Sequence, residues 1–221
     1  MSIAAQIASL RRQLPEGVTL VAVSKFHPVE ALREAYDAGQ RIFGESRPQE
    51  MCAKQAAMPA DVEWHMIGHL QTNKVKYIAP FVSLIHSVDS ERLAEAIQVQ
   101  AAKCNRTIDV LLEIHVAEEE SKSGWVIEEL RAAVASGLFE RLPNVRVRGV
   151  MGIATNTDDE ARIAADFAQL AAYKAEFAAH FGEQFDTLSM GMSDDYPAAI
   201  AAGSTMVRIG STIFGARDYS K

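Results

Sequence analysis

The sequence predicts an α/β fold, a (β/α)8 barrel preceded by one extra N-terminal helix. Short apolar runs rich in β-branched residues alternate with helical stretches along nearly the whole chain. Eight such strand–helix units within 221 residues match the count and size of this barrel. A doubly wound open sheet shares the alternation, but it usually has a Gly-rich turn after its first strand. Here that turn, residues 24–28, reads SKFHP and contains no glycine. We therefore expect one barrel domain over residues 1–221.

The elements follow one another in a regular order. An amphipathic stretch over residues 1–15 predicts a helix, which we expect to cover one end of the barrel. Apolar, β-branched and aromatic runs predict strands at residues 19–24, 41–43, 62–67, 81–85, 107–116, 145–150, 185–188 and 206–209. Polar and Ala-rich stretches with helical spacing predict helices at residues 29–38, 49–57, 73–78, 90–103, 125–135, 158–181 and 196–202.

Composition and charge exclude several classes of protein. Hydrophobic residues make up 48% and charged residues 23%, which is ordinary for a globular protein and unlike a disordered one. The net charge of −7 argues against general nucleic-acid binding. No apolar run approaches the roughly 18 residues of a membrane span, and the N-terminus lacks a signal-peptide layout, so we expect a cytoplasmic monomer. Cys52 and Cys104 show no metal-ligand spacing and are expected to be free thiols.

Function in such barrels collects where the strands end, and Lys25 ends the first strand. Among eight lysines it alone closes a buried apolar strand; Lys54, Lys103 and Lys174 fall on polar helix faces. Partial desolvation there lowers a lysine's pKa and frees its amine to attack a carbonyl. A strand-end lysine paired with an acid such as Glu45 is the alternative, and position alone does not decide between them.

Two small, donor-rich turns predict a phosphate site. Phosphate sites of these barrels lie after strands seven and eight, beside a short extra helix. Gly210 lets the backbone approach an anion, and Ser211 and Thr212 offer amides and hydroxyls. Residues 189–193, SMGMS, form the second turn, in which Ser193 has the alternative role of a helix N-cap. A reactive lysine, a phosphate site and an arginine between them indicate a phosphorylated aldehyde as ligand.

The chain resembles the pyridoxal 5′-phosphate (PLP) homeostasis proteins, which look like a stand-alone alanine racemase N-terminal barrel. The resemblance runs from about residue 18 to residue 219. Its motifs are AVSK at 22–25, FGES-x-x-QE at 43–50, WHMIGHLQTNK at 64–74, SVDS at 87–90, SKSG at 121–124, RGVMGI at 148–153, LSMGMSDD at 188–195 and VRIGSTIFGAR at 207–217. So many matches in register are not accidental.

This resemblance implies roles for individual residues. It implies an internal aldimine between Lys25 and PLP, and phosphate contacts from Ser189, Gly210 and Ser211. It places Arg208 against the pyridine nitrogen, which must then accept a hydrogen bond and stay unprotonated, so the ring is a weak electron sink. Met190 and Met151 are implied to lie near the ring, or else to pack the barrel mouth.

Two departures from the family pattern concern the same site. Ser46 stands where the family commonly has asparagine. The amide that would contact the cofactor's ring oxygen is therefore missing, and we expect the serine hydroxyl to reach that oxygen through a water molecule. His115 replaces an asparagine common on strand five; it is either a proton shuttle or a satisfied polar residue. His65, His69 and His86 are read in the same way, and no metal site is expected.

These residues predict a non-catalytic PLP-binding protein that keeps intracellular PLP available. A racemase needs two bases, and alanine racemase takes its second from a tyrosine on a C-terminal domain that we do not expect here. The expected partners are PLP and PLP-dependent apo-enzymes as recipients. A stand-alone racemase of low activity, with His115 or water as second base, is the alternative. A Schiff-base aldolase acting on a phosphorylated sugar needs no PLP and is the third possibility.

Overall fold

A computed structural model, which describes residues 1–119 and 123–215, shows a closed barrel of eight parallel strands. The strands are β1 Thr19–Val23, β2 Ile42–Glu45, β3 Glu63–Met66, β4 Leu84–Val88, β5 Ile108–Glu113, β6 Val145–Met151, β7 Thr187–Ser189 and β8 Met206–Ile209. Each strand pairs with the next along the chain, and β8 closes onto β1 with Ala22 opposite Ile209. The predicted barrel is confirmed, and the sheet is not open.

Helices surround the barrel and connect its strands. They are α1 Ile3–Gln13, α2 Val29–Asp37, α3 Pro48–Ala57, α4 Val75–Ile78, α5 Glu91–Lys103, α6 Ile127–Ala135, α7 Glu160–Phe181, α8 Tyr196–Ala201 and α9 Ser211–Phe214. Single 3₁₀ turns occur at Thr72–Lys74 and Phe139–Arg141. The Asp159 carboxylate accepts the amide hydrogens of Ala161 and Arg162 and so caps the longest helix, α7. Within the described residues, no helix has the length and apolarity that crossing a membrane requires.

Two apolar clusters hold the fold together. Because strand side chains alternate between faces, Val21 joins the cluster inside the barrel, whereas Leu20 and Ala22 join the larger one between strands and helices. The interior cluster also contains Leu84, Leu111, Met151 and Met206. Packed on both faces, the strands hold their carboxyl ends in fixed positions around one mouth.

Helix α1 differs from the prediction in its placement. It packs lengthwise beside α2, where the Ile3 amide donates to Glu34 and the Arg11 guanidinium donates to the Gly39 carbonyl. Ile7 and Leu10 are buried on this side. α1 therefore belongs to the outer helix layer, where it packs against α2 and α9, and it does not cover an end of the barrel.

The fourth and fifth strands differ most from their predicted bounds. The fourth strand was expected at residues 81–85, but β4 runs from Leu84 to Val88 and carries His86 inside the barrel. The fifth was expected to reach residue 116, but β5 ends at Glu113. Beyond it Ile114 forms an isolated bridge with Trp125, so His115 lies outside the sheet. A run of apolar, β-branched residues in the sequence does not show at which residue strand pairing begins or stops.

Candidate functional site

The turn after β1 and the turn after β8 lie side by side at the carboxyl end of the barrel. Gly210 approaches β1 so closely that a Cβ added there would lie 3.1 Å from the Val23 carbonyl oxygen. The His27 and Phe214 rings stack with centroids 5.0 Å apart, which joins the first turn to α9. Lys25 and the Gly210–Ser211 segment, predicted from separate motifs, therefore share one mouth.

Hydrogen bonds on both sides hold the backbone around Lys25. On one side the Lys54 ammonium donates to the Ser24 carbonyl at 2.7 Å. On the other the Phe26 amide donates to Glu50 Oε1 at 2.7 Å. Phe26 has φ of +67°, a left-handed conformation that costs a non-glycine residue on the order of 1–3 kcal/mol. The surrounding contacts thus impose a strained turn where Lys25 sits half-buried.

Lys54 does not lie on a polar helix face, as its position in the sequence predicted. It is 5% exposed, and its ammonium also donates to Glu45 Oε1 at 2.8 Å and to Glu50 Oε1 at 2.7 Å. All three of its donors are therefore satisfied. Burial raises the pKa of Glu45, and the Lys54 charge opposes that rise. Lys54 therefore pairs with Glu45. Pairing with Glu45 was the alternative role considered for Lys25.

The Arg208 guanidinium is buried at the mouth and fixed by the barrel itself. Its Nη1 donates to the Ser189 carbonyl at 2.8 Å and to Ser189 Oγ at 2.7 Å, and its Nη2 donates to the Gly152 carbonyl at 3.1 Å. Burial lowers the pKa of Arg208 to about 10, opposed by the charges of Glu113 and Asp195. The group is still a cation at neutral pH. Its Nε–H and one Nη2 hydrogen are not taken by these partners.

The Ser189 side chain lies inside the barrel and not beside the Gly210 turn. Its side chain is fully buried, and its Oγ lies 2.7 Å from Arg208 Nη1 and 3.0 Å from His86 Nδ1. The hydroxyl that accompanies Gly210 is that of Ser193, which accepts the Gly210 amide hydrogen at 3.4 Å. Ser193 is not the predicted N-cap either, because α8 begins after Asp195. Strand parity explains the difference, since Ser189 is the last inward position of β7.

Met190 follows β7 and Ser46 follows β2, both at the carboxyl end of the barrel. Neither is among the hydrogen-bond partners of Arg208. Met190 is fully buried in the cluster between strands and helices, which matches the packing role. Met151 lies in the interior cluster. Ser46 follows the last residue of β2 and lies against Gly68, where an added Cβ would come within 2.7 Å of the serine Cβ. Only glycine fits at position 68 without moving Ser46.

Glu113 is a buried acid at the end of β5 that the sequence did not single out. It ends β5, is 5% exposed, and accepts the Ser123 hydroxyl hydrogen at 2.8 Å through Oε1. Its Oε2 is buried without a hydrogen-bond partner among the described residues. Burial raises the pKa of Glu113, and the Arg208 charge opposes that rise. The strand predicted through residue 116 placed Glu113 in mid-strand; an acid within an apolar run was the available signal.

His65 and His86 form a buried pair inside the barrel, with His65 Nδ1 and His86 Nε2 3.0 Å apart. Burial lowers the pKa of His65 to about 3 and the pKa of His86 well below its ordinary value. Both rings are therefore neutral in the folded protein at neutral pH. His65 also lines a pocket of about 440 Å³ at the opposite end of the barrel.

The buried pair predicts a loss of stability in acid. The unfolded chain takes up protons near pH 6.5 and the folded one does not, so stability falls as the pH drops below 6.5 toward 3. At pH 5 the loss is about 2 kcal/mol for His65, and His86 adds a loss in the same direction. Glu45 and Glu113, whose pKa values are raised, act in the opposite direction.

Comparing wild type with His65→Gln isolates the histidine contribution. Urea unfolding at pH 7 and pH 5 measures the fall in unfolding free energy for each protein. We expect the fall to be about 2 kcal/mol smaller in the variant. The same fall in both proteins would show that His65 titrates normally in the folded state.

Two segments of the predicted motifs, residues 120–122 and 216–221, lie outside the described residues. Lys122 of SKSG, the Ala216–Arg217 end of the eighth motif and Tyr219 belong to them. In the rest of the chain, no group of three or more His, Cys, Asp or Glu side chains is arranged to hold a metal ion.

Comparison with known proteins agrees with the motifs. The family described as "Alanine racemase, N-terminal domain" matches residues 1–218. The pyridoxal phosphate homeostasis protein of Vibrio alginolyticus is 44% identical over 211 residues, which cover 93% of this chain and 89% of that protein. The Escherichia coli K12 protein of the same name is 44% identical over 214 residues, which cover 94% and 89%.

Solved structures show the same fold. PipY of Synechococcus elongatus PCC7942 without PLP superposes with a TM-score of 0.92 at 43% identity, covering 97% of this chain and all of that one. Its PLP-bound form gives a TM-score of 0.89 at 42% identity, with the same coverage. Alanine racemase of Streptomyces coelicolor A3(2) shares the fold, with a TM-score of 0.76 at 22% identity over 57% of its length. The chain therefore belongs to the pyridoxal phosphate homeostasis protein family, which is built on the alanine racemase N-terminal domain.

Proposed function

We propose that this protein binds PLP at the carboxyl mouth of its barrel, as an internal aldimine with Lys25, and keeps it available to PLP-dependent apo-enzymes without turning over a substrate. One observation carries the proposal: the Lys25 turn, the Gly210–Ser211 turn and the buried Arg208 cation meet at one mouth. They do so in a chain 42% identical to PipY, whose structure holds PLP.

The groups at the mouth fit the chemistry of this cofactor. The Lys25 amine suits the aldehyde, and the small turn at Gly210 and Ser211 suits the phosphate, joined by the Ser193 hydroxyl beside the Gly210 amide. The Arg208 guanidinium suits the ring nitrogen, an acceptor. Ser46, which follows β2, completes the proposed set, whereas Met190, which follows β7, packs between strands and helices. We assign Ser189 the role of holding Arg208 and not of binding phosphate. The two groups that face its hydroxyl, Arg208 and His86, both lie inside the barrel.

Arg208 makes the proposed site a poor one for catalysis on amino acids. When bound, PLP supplies an electron-withdrawing ring, whose strength depends on a proton at the ring nitrogen. A guanidinium donates hydrogen bonds and accepts none, so the nitrogen facing it stays unprotonated. The site then holds a reactive aldehyde while stabilising negative charge weakly.

The second base of a racemase also lacks a candidate among the described tyrosines. Tyr36 bonds to Asp61, Tyr196 bonds to Gln13, and the Tyr173 hydroxyl accepts a hydrogen bond from Gln169. Tyr77 is half exposed beside the charges of Lys74 and Lys76. All four are engaged by these contacts in the helices around the barrel.

Exchange of the Cα hydrogen tests the absence of turnover. We expect purified, PLP-saturated protein to exchange deuterium into alanine and a panel of other amino acids far more slowly than the roughly 1–10³ s⁻¹ of ordinary enzymes. NMR or mass spectrometry of the amino acids measures it. Exchange at enzyme rates that is lost in His115→Ala would instead establish the racemase alternative, with His115 as second base.

A further inference from the structure

A column of polar side chains crosses the interior of the barrel beneath the proposed cofactor site. Arg208 Nη1 lies 2.7 Å from Ser189 Oγ, Ser189 Oγ lies 3.0 Å from His86 Nδ1, and His86 Nε2 lies 3.0 Å from His65 Nδ1. All four residues are buried. The proposed function uses Arg208 alone of these, so the histidines need an explanation of their own.

The hydrogen atoms in this column can be assigned from donor and acceptor chemistry. Arg208 has only donors, so Ser189 Oγ accepts from it. The serine's own hydrogen must then go to His86 Nδ1, since an unsatisfied hydroxyl hydrogen buried at this depth costs roughly 1–3 kcal/mol. His86 therefore carries its proton on Nε2 and donates it to His65 Nδ1. Because His65 Nδ1 accepts this hydrogen, and a neutral imidazole carries only one proton, His65 also has its proton on Nε2.

The reverse order fails at the serine. If His86 Nδ1 donated to Ser189, two donors would point at the hydroxyl oxygen and the serine hydrogen would face no acceptor in the column. A charged imidazole is disfavoured as well, because burial lowers the pKa of both histidines. The column thus has one direction, from the guanidinium toward the far end of the barrel.

We propose that His86, acting through Ser189, is a positioning residue that holds the Arg208 guanidinium in the orientation needed to donate to the cofactor's ring nitrogen. His86 orients the serine hydroxyl so that its lone pair faces Nη1. With Nη1 fixed on Ser189 and one Nη2 hydrogen on the Gly152 carbonyl, the plane of the guanidinium is set. This inference rests on the proposed function, since it assigns the ring contact to Arg208.

The first test measures the tautomers directly and needs no cofactor. Long-range ¹H–¹⁵N correlation spectra of the full chain, with His65→Gln and His86→Phe for assignment, distinguish Nδ1–H from Nε2–H imidazoles. We expect both rings to carry the proton on Nε2. A proton on His86 Nδ1 would overturn the inference, whatever the protein binds.

The second test separates positioning from mere stability. PLP and its analogue with a C–H group in place of the ring nitrogen are titrated into wild type, His86→Phe and Ser189→Ala. We expect wild type to prefer PLP, and each variant to lose about tenfold of that preference, the size of a misaligned charge-assisted hydrogen bond. If both ligands weaken equally, the column is only structural and the inference is wrong.

Ser204→Ala is the matched control, because its hydroxyl is buried on the carbonyls of Leu188, Met190 and Met206 without contacting Arg208. It should keep the full preference for PLP. Should His86→Phe fail to fold, Ser189→Ala decides the result. A wild type that binds neither ligand would contradict the proposed function itself. A wild type that binds both equally would overturn the ring contact and, with it, this inference, while PLP binding would stand.

Discussion

Replacing Lys25 with alanine is expected to abolish the aldimine band of bound PLP, so that any PLP still held absorbs as the free aldehyde, while the barrel remains folded. The amine that joins the aldehyde is removed, and no other described lysine closes a strand at this mouth. The turn itself is held through its backbone by Lys54 and Glu50, so its conformation does not depend on the Lys25 side chain. Absorbance spectra of PLP-saturated protein and a thermal melt measure both results.

Two controls make this result specific. Lys25→Arg keeps the positive charge but offers no reactive amine near neutral pH, and it should also lack the band. Lys76→Ala removes an exposed lysine and should leave the spectrum unchanged. A wild-type spectrum in Lys25→Ala would place the linkage on another residue.

Lys54→Met is expected to cause the largest loss of stability of any single lysine substitution in the described chain. The change leaves Glu45, which is fully buried, without its cation. Removing one partner of a buried ion pair costs about 3–5 kcal/mol. For a domain of this size the melting temperature should fall by roughly 6–20 °C. The turn around Lys25 loses one of its two anchors, so PLP binding should weaken as well.

A second substitution distinguishes the lost ion pair from lost packing. Adding Glu45→Gln to Lys54→Met removes the uncompensated acid and should restore much of the stability. Lys103→Met, at an exposed position on α5, should change the unfolding free energy by no more than about 0.5 kcal/mol. A Lys54→Met protein that melts with wild type would show that the buried pair contributes nothing net.

The barrel was predictable because its information is local. Alternating apolar strands and helical stretches fix the count of units, and β8 was placed at its observed bounds. A short helix after strand eight was also predictable, because such barrels commonly carry one there. The short helix expected there is α9, which begins at Ser211.

The contacts across the barrel were not predictable, because residues far apart in sequence create them. Lys54 was expected to face solvent because its helix is rich in polar residues. The fold instead brings Ser24 and Glu45 into contact with its ammonium group. Ser189 looks like part of a phosphate turn, but strand parity and Arg208 turn its hydroxyl inward. His86 lay one residue beyond the predicted fourth strand, because an apolar run does not mark where strand pairing begins and ends. These three residues make the supporting structure of the site.

Reductive trapping tests the central claim, that Lys25 holds PLP covalently, more directly than any substitution. Wild-type protein saturated with PLP is treated with borohydride, digested with trypsin and analysed by mass spectrometry. A pyridoxyl group on Lys25 blocks cleavage there, so we expect one labelled peptide spanning residues 13–33, at one label per chain. Label on another lysine, or spread over several, would contradict the account.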